Sequence, residues 1–301
     1  MERIRITLKS GADALGLADD AALLTLPDAA SGLVASVDSV VEGVHFDLAL
    51  STPHDVGWKA LTSALSDLAA MGAAPLGALV GLCVPLGQDL ALALALAEGL
   101  AEASEASGCP IVGGDLSDAP QVTITVTVLG TAATPVTRSG GRDGDWLLVT
   151  GPCGASAAGL RLLRATPHLS SAQSAAAAQH RRPVARLAEG ALAREWGAHA
   201  MIDISDGLAL DLHRLADASG LGFRLHQVPV AAQATEAEAL GGGEDYELLI
   251  ALDPADGPKM IDAFGAAGLR APIRIGELDD SPEVRELDGR PLERLGWQHG
   301  G

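Results

Sequence analysis

The sequence predicts an α+β fold of two domains. At 301 residues, the chain is long enough for two domains of ordinary size, each with its own core. Segments with strand patterns and segments with helix patterns are mixed in both halves. Between the halves, residues 131–145 contain one proline and three glycines, which is typical of a connecting segment. We therefore expect one domain at residues 1–135 and another at residues 136–301.

In the first half, strands and helices are distinguished by the period of the apolar residues. Residues 122–130 alternate threonine with apolar residues, mostly β-branched, which indicates a strand. Trp58, Leu61, Leu65 and Leu68 recur at three- and four-residue intervals, which indicates a helix. The predicted strands are 32–38, 76–86 and 122–130, and the predicted helices are 55–72 and 89–107.

The second half opens with a predicted strand at 146–150, followed by a glycine turn into a helix near Ser156. Residues 170–182, rich in Ala, Ser and Gln, are interpreted as a helix or an exposed connection. A further strand is predicted at 201–204. After it, Asp206 is expected to cap a helix at 208–219 that ends at Gly220.

Charge and composition exclude several classes of protein. The chain has 39 acidic and 20 basic residues, a formal net charge of −19, so neither nucleic acid nor an anionic membrane is an expected partner. The apolar run at residues 90–97 is too short to span a bilayer, and residues 1–10 lack the core of a signal peptide. Three dispersed cysteines without a CxxC pair indicate free thiols in a reducing cytoplasm.

Acidic residues recur where predicted strands end or glycines form turns. Carboxylates in such groups repel a phosphate but suit Mg²⁺, which binds a few carboxylates together with substrate phosphates. Any one of these acids alone is more simply a turn residue or helix cap, but six such places favour a metal site. They are Asp19–Asp20, Asp38, Asp115 in a predicted Gly-Gly-Asp turn, Asp203 with Asp206, Glu244–Asp245, and Asp67 on the polar edge of its helix.

Other catalytic motifs are missing from the sequence. None of its three lysines follows a Walker A glycine loop, and there is no GxGxxG or HExxH motif. The turn from Gly151 to Ser156 lacks the GxSxG spacing of a hydrolase. By themselves, His45 could be an ordinary packed histidine and Arg138 a solvated surface arginine, although Arg138 is the best isolated candidate for gripping a nucleotide phosphate.

Taken in order, seven motifs resemble those of the thiamine-monophosphate kinases, within the superfamily of ATP-binding proteins similar to aminoimidazole ribonucleotide synthetase. The resemblance extends over residues 13–297, nearly the whole chain. The motifs are LADDAALL (17–24), DSVVEGVHF (38–46), LSDLAAMGA (65–73), GGD (113–115), TRSG (137–140), IDISDGL (202–208) and GGEDYEL (242–248).

The resemblance implies Mg²⁺-dependent transfer of the γ-phosphoryl group of ATP to thiamine monophosphate, giving thiamine diphosphate and ADP. It also implies a homodimer in which the mixed sheets of the N-terminal domains pair, with ATP bound between the domains. Asp38, Asp67 and Asp206 would be central to catalysis. The implied magnesium ligands, for several ions, are Asp20, Ser36, Val37, Asp38, Asp67, Asp115, Asp203 and Asp206. The implied ATP contacts are Gly114, Asp115, Arg138 and Ser205, and the implied substrate contacts are His45, Glu244 and Trp297.

Two alternatives remain open at this point. Another ATP-dependent enzyme of the superfamily is one, although residues 1–20 contain Lys9 and no cysteine, unlike a selenophosphate synthetase. A non-catalytic nucleotide-binding relative is the other. Val37 and Leu116 stand where the family often has threonine, Ala64 where it has asparagine and Ala18 where it has glycine, so two hydroxyls are lost but no carboxylate is.

Overall fold

In a computed structural model of the protein, the described residues are 32–85, 90–166 and 168–298. They fall into two units. The N-terminal unit holds the described residues up to Leu68 and those from Ala73 to Ala133. The C-terminal unit holds Ala69–Gly72 and the described residues from Thr134 onward. No helix among these residues has the length and hydropathy needed to cross a bilayer.

The N-terminal unit contains a mixed sheet in the order β1-β4-β2-β3. β4 pairs antiparallel with β1 and β2, whereas β2 and β3 are parallel. The three strands predicted in this half are confirmed with shifted ends, and β3 is an additional strand. The strands are β1 at Gly32–Val41, β2 at Ala74–Val84, β3 at Ile111–Asp118 and β4 at Thr123–Ala132.

The predicted helices of this unit are confirmed as α1 (Pro53–Ala70) and α2 (Leu90–Ser107). Their backbones approach closely at two glycines. A Cβ atom on Gly57 would lie 2.1 Å from the carbonyl oxygen of Leu96, and one on Gly99 would lie 1.8 Å from that of His54. Interiors packed to crystal density cannot absorb such overlap, so glycine is required at this crossing.

The C-terminal unit contains a sheet in the order β11-β10-β7-β9-β5-β8-β6. All neighbouring strands are antiparallel except β10 and β7. The strands are β5 at Trp146–Val149, β6 at Ala200–Asp203, β7 at Gly222–Leu225, β8 at Leu248–Leu252, β9 at Ile273–Asp279, β10 at Arg285–Leu287 and β11 at Arg290–Pro291.

Helices cover both faces of this sheet, so its central strands are apolar throughout rather than alternating. On β8, for example, Leu249 belongs to a cluster with Leu212 of α6, and Ile250 to a second cluster with Phe264 of α8. The helices are α3 at Ala155–Ala165, α4 at Ser171–Arg181, α5 at Leu187–Glu195, α6 at Leu208–Ser219, α7 at Glu236–Gly241 and α8 at Gly257–Ala266.

Residues 170–182, left open as helix or connection, form helix α4. The Ser170 side chain accepts a hydrogen bond from the backbone N–H of Gln173, and Oε1 of Gln173 accepts one from the backbone N–H of Ser170. This reciprocal capping box satisfies two backbone N–H groups at the start of α4 and explains why an alanine-rich segment is helical here.

The expectation that Asp206 caps α6 is wrong. The N-cap residue is Gly207, and it makes no side-chain capping bond. Asp211 caps the turn from inside the helix instead, because its Oδ2 accepts from the backbone N–H groups of Asp206 (3.0 Å) and Gly207 (3.1 Å). Gly220 ends the helix in the left-handed conformation, as predicted.

Candidate active site

Three of the predicted metal ligands lie on one face of the N-terminal sheet. The hydroxyl of Ser36 donates a 2.5 Å hydrogen bond to Oδ2 of Asp67 on α1. Asp38 follows Ser36 by two residues on β1, so its side chain points to the same face. Its Oδ1 accepts from the backbone N–H of Ser39 at 2.8 Å. The strand and the polar edge of the helix therefore bring a hydroxyl and two carboxylates to one side of the sheet.

Val37, between these residues, directs its side chain to the opposite face and is 61% exposed there. Any contribution from Val37 to a metal site must therefore come from its backbone. Asp20, the remaining predicted ligand of this half, lies outside the described residues.

The predicted turn at Gly113–Asp115 is wrong, because these residues lie within strand β3. A Cβ atom on Gly114 would lie 2.1 Å from the carbonyl oxygen of Val80, so only glycine allows β2 and β3 to pair this closely. Asp115 pairs with Gly81, Gly81 with Thr125, and Thr125 with Ser39. These four residues form one row across the strands of the sheet.

Asp38, by contrast, belongs to the adjacent row across the sheet, with Val126, Val80 and Gly114. Adjacent rows point to opposite faces. Within one chain, the structure therefore does not bring Asp115 together with Asp38 and Asp67.

His45 lies in the tight turn that follows β1. Its Nδ1 accepts a hydrogen bond from the backbone N–H of Val41 at 3.1 Å, so a neutral ring carries its proton on Nε2. Its carbonyl oxygen accepts from the buried Lys59 ammonium at 3.2 Å. These contacts hold the histidine firmly in the turn, and its role in substrate binding stays a prediction.

In the C-terminal unit, three segments distant in sequence meet beyond the end of β6. The backbone N–H of Glu244 donates to the carbonyl oxygen of Ser205 at 2.7 Å. The backbone N–H of Trp297 donates to the carbonyl oxygen of Asp206 at 2.9 Å, and the Trp297 side chain is 53% exposed. Asp203, the last residue of β6, is buried directly before this turn. One predicted ATP contact, two predicted metal ligands and two predicted substrate contacts therefore form a single cluster.

Arg214, which the sequence reasoning missed, belongs to the same cluster. Its Nη1 lies 2.5 Å from Oδ2 of Asp206 and 2.6 Å from Oδ1 of Asp211. Burial raises the pKa of Asp211, and the hydrogen bonds from the Asp206 amide and from Arg214 oppose that rise. The sequence signal that could have revealed this contact is the i,i+3 spacing of Asp211 and Arg214 on α6, with Asp206 just before the helix.

Arg138 is not part of this cluster. Its carbonyl oxygen accepts from the hydroxyl of Ser219 at 3.1 Å, and the preceding Thr137 bonds to Met201 near the start of β6. Ser219 is the last residue of α6, whereas Asp206 precedes its first residue. Because 12 helical residues span about 18 Å, the backbone of Arg138 and the Ser205–Asp206 turn lie at opposite ends of α6.

Asp245 anchors the segment that carries Glu244. Its Oδ2 accepts from the backbone N–H of Gly154 at 2.5 Å, and its Oδ1 accepts from that of Ser156 at 3.1 Å, at the N-terminus of α3. Burial raises the pKa of Asp245 to about 7, although these backbone hydrogen bonds pull it down. Asp245 stands beside Glu244 among the acids predicted to favour a metal site, but the structure gives it a part-buried structural position.

The raised pKa predicts a pH-dependent stability contribution from Asp245. A carboxyl group with a folded-state pKa above its unfolded value stabilises the protein fully at pH below about 4, and this contribution is lost as the pH rises through about 7. We expect the unfolding free energy of the native protein minus that of Asp245→Asn to fall by about 2.5 kcal/mol between pH 5 and pH 8.

Urea denaturation of both proteins at the two pH values measures this difference, and contributions common to both proteins cancel. Asp262→Asn, which removes an exposed carboxylate from α8, is the matched control for loss of a charge. A difference that stays constant from pH 5 to pH 8 would contradict the assignment of the raised pKa to Asp245.

The residues in the N-terminal unit have the chemistry that Mg²⁺ requires. Within the described ranges, no group of three or more His, Cys, Asp or Glu side chains is arranged to hold a metal ion. Mg²⁺, however, usually takes only one or two carboxylates and completes its shell with water and substrate phosphates. Asp38 and Asp67, with the hydroxyl of Ser36, meet that requirement.

Comparisons with known proteins agree with the motifs. The family model described as AIR synthase related protein, N-terminal domain, matches residues 18–132, and the one for the C-terminal domain matches residues 142–288. The thiamine-monophosphate kinase of Synechococcus elongatus is 36% identical over an alignment of 301 positions that covers 93% of this chain and 90% of that protein.

Solved structures are also similar. The crystal structure of thiamine-monophosphate kinase from Stenotrophomonas maltophilia K279a has a TM-score of 0.85 at 30% identity, covering 97% of this chain and 96% of that one. A structure of AaThiL complexed with AMPPCP and TMP has a TM-score of 0.82 at 30% identity, covering 99% and 95%. The chain therefore belongs to the thiamine-monophosphate kinases, within the AIR synthase related proteins.

Proposed function

We propose that the protein transfers the γ-phosphoryl group of ATP to thiamine monophosphate, giving thiamine diphosphate and ADP. The observation that carries this proposal is the cluster formed by the Ser205–Asp206 turn with Glu244 and Trp297. A similar chain has been solved with an ATP analogue and TMP together. The hydroxyl of Ser205 and the nearby aspartates suit a nucleotide and a metal ion. The exposed ring of Trp297 and the carboxylate of Glu244 suit an organic acceptor.

Magnesium is the cofactor we propose, and it would neutralise negative charge on the transferring phosphoryl group. Ser36, Asp38 and Asp67 would hold an ion in the N-terminal unit, and Asp203 and Asp206 would hold one in the C-terminal unit. Asp206 would then exchange its contact with Arg214, at 2.5 Å, for a metal ion. Asp20, Asp115 and the backbone of Val37 remain proposed ligands on the basis of the resemblance.

The chain's own groups would bind and orient two anionic substrates. The acceptor oxygen belongs to a phosphate that is ionised at neutral pH, so transfer needs no strong general base. Catalysis would come from orientation and charge stabilisation. Gly114, Asp115, Arg138 and Ser205 are the proposed nucleotide contacts, and His45, Glu244 and Trp297 are the proposed acceptor contacts.

A homodimer is the assembly we propose, with the N-terminal sheets paired. The sheet face opposite Asp38 exposes apolar side chains from two strands: Leu33 is 57% exposed, Val37 61% and Leu79 39%. Several large apolar side chains exposed on one sheet face are typical of an interaction site. A second copy of the chain would cover this face. Residues 1–135 would thus form the dimerisation, ATP-binding and metal-binding domain, and residues 136–301 would complete the nucleotide and substrate site.

The cytoplasm is the compartment we propose for the protein. Cys109 and Cys153 are buried free thiols, which a reducing environment preserves. ATP and Mg²⁺ are both abundant there.

The direct test is incubation of the purified protein with MgATP and thiamine monophosphate, followed by separation of the products. We expect thiamine diphosphate and ADP in equal amounts, no product with unphosphorylated thiamine as acceptor, and loss of turnover when a chelator removes the metal. Nucleotide binding without thiamine diphosphate, or ADP formed without it, would contradict the proposal.

A further inference from the structure

The side chain of His180 connects the interior of the C-terminal unit to the proposed substrate contact Glu244. His180 lies near the end of α4 and is only 5% exposed. Its Nδ1 lies 3.0 Å from Oγ of Ser156 and 3.4 Å from Oε2 of Glu244. A buried imidazole therefore contacts one oxygen of a carboxylate that remains 26% exposed.

Two helices hold the imidazole in place. Ser156, in the first turn of α3, is 1% exposed. α3 and α4 pack closely, since a Cβ atom on Gly159 would lie 2.2 Å from the carbonyl oxygen of Ala176. Neither Ser156 nor His180 can move far without separating these helices.

The backbone of Glu244 is fixed independently of its side chain. Its φ of 67° lies in the left-handed region, which residues other than glycine rarely adopt. The hydrogen bond from its N–H to Ser205 and the anchoring of Asp245 at the start of α3 hold this conformation. The direction of the Glu244 carboxylate is what these contacts leave undetermined, because a glutamate side chain has several rotamers.

We propose that His180 is a positioning residue that orients the Glu244 carboxylate toward the nitrogen-rich, cationic part of the acceptor substrate. This inference rests on the proposed function, because thiamine monophosphate has an amino-substituted ring and a positively charged ring. The Glu244 side chain is 26% exposed, and a carboxylate can accept from an N–H group or face a cationic ring. His180 thereby contributes to acceptor affinity without contacting the acceptor.

The test is a double-mutant cycle on the full chain with steady-state kinetics. His180→Ala should raise KM for thiamine monophosphate about tenfold and leave KM for ATP unchanged. A tenfold change is the size expected when binding of the acceptor must also order one long side chain. His180→Asn, whose amide nitrogen occupies the position of Nδ1, should restore most of the affinity. In a Glu244→Gln background, His180→Ala should add little, because residues that act through one another are not additive.

Each outcome decides the proposal. An unchanged KM for thiamine monophosphate in His180→Ala, or additive effects with Glu244→Gln, overturns the positioning role while an active native protein leaves the proposed function standing. A native protein without turnover overturns both. If His180→Ala does not fold, His180→Gln takes its place in the test. The glutamine amide nitrogen occupies the position of Nε2, so the contact that Nδ1 makes is still lost. Equal KM values for His180→Gln and His180→Asn would then overturn the proposal.

Discussion

Asp67→Asn is expected to lower the rate of phosphoryl transfer about 1,000-fold while the protein remains folded. Asparagine keeps the size of the side chain, and its carbonyl oxygen can still accept the hydrogen bond from Ser36 that the structure shows at 2.5 Å. What is lost is a negative charge on the same face as Asp38. Because that charge is proposed to bind the metal that neutralises the transferring phosphoryl group, its loss should act on turnover rather than on stability.

The measurement is kcat for thiamine diphosphate formation, with thermal unfolding as the check on folding. Asp55→Asn is the matched control on the same helix, since Asp55 instead accepts a 2.7 Å hydrogen bond from the Thr52 hydroxyl at the start of α1. The control should keep native turnover. An Asp67→Asn protein with near-native kcat would contradict the role assigned to this helix edge.

Glu247→Ala is expected to lower the free energy of unfolding by about 3–5 kcal/mol, since it leaves a largely buried charge without its partner. The Glu247 side chain is 4% exposed. Its carboxylate accepts two hydrogen bonds from the Arg186 guanidinium, at 2.6 and 2.9 Å, and one from the Thr150 hydroxyl at 2.6 Å. The side chain of Arg186 is itself only 15% exposed, so water cannot fully replace the lost carboxylate.

Urea denaturation of the native and variant proteins measures this effect as a change in the midpoint and in the extrapolated free energy. Arg270→Ala is the matched control on the same carboxylate. Arg270 is 52% exposed and lies 3.4 Å from Glu247, so its removal should cost less than about 1 kcal/mol. Equal destabilisation by the two variants would show that burial does not set the strength of this network.

The strands and helices of the first half could be predicted because their signals are local. The alternation of residues 122–130 corresponds to β4, where Ile124, Val126 and Val128 are buried and the intervening threonines are less so. In the C-terminal sheet, β5 and β6 were predicted as strands at 146–150 and 201–204, whereas β8, which lies between them, was not recognised. β8 is buried on both faces, so its five apolar residues show no period that separates a strand from a helix.

The arrangement of the acids depended on contacts between distant segments. Asp115 was expected in a turn near the other acids, but the pairing of β2 with β3 puts it in a strand and on the face opposite Asp38. The face on which Asp115 lies depends on this register, because a shift of one residue would move its side chain to the other face of the sheet. The same holds for Arg138, whose position at the far end of α6 follows from tertiary contacts.

The sequence by itself determined the family, the acidic character of the site and most of the local elements, because motifs and apolar periods are properties of neighbouring residues. Only the tertiary structure decided which of those residues meet. The contact of Arg214 with Asp206, the hydrogen bonds of Asp245 to the start of α3 and the link from Ser156 through His180 to Glu244 are all products of packing. Such contacts join residues whose spacing along the chain carries no signal, since packing alone sets the distances between their side chains.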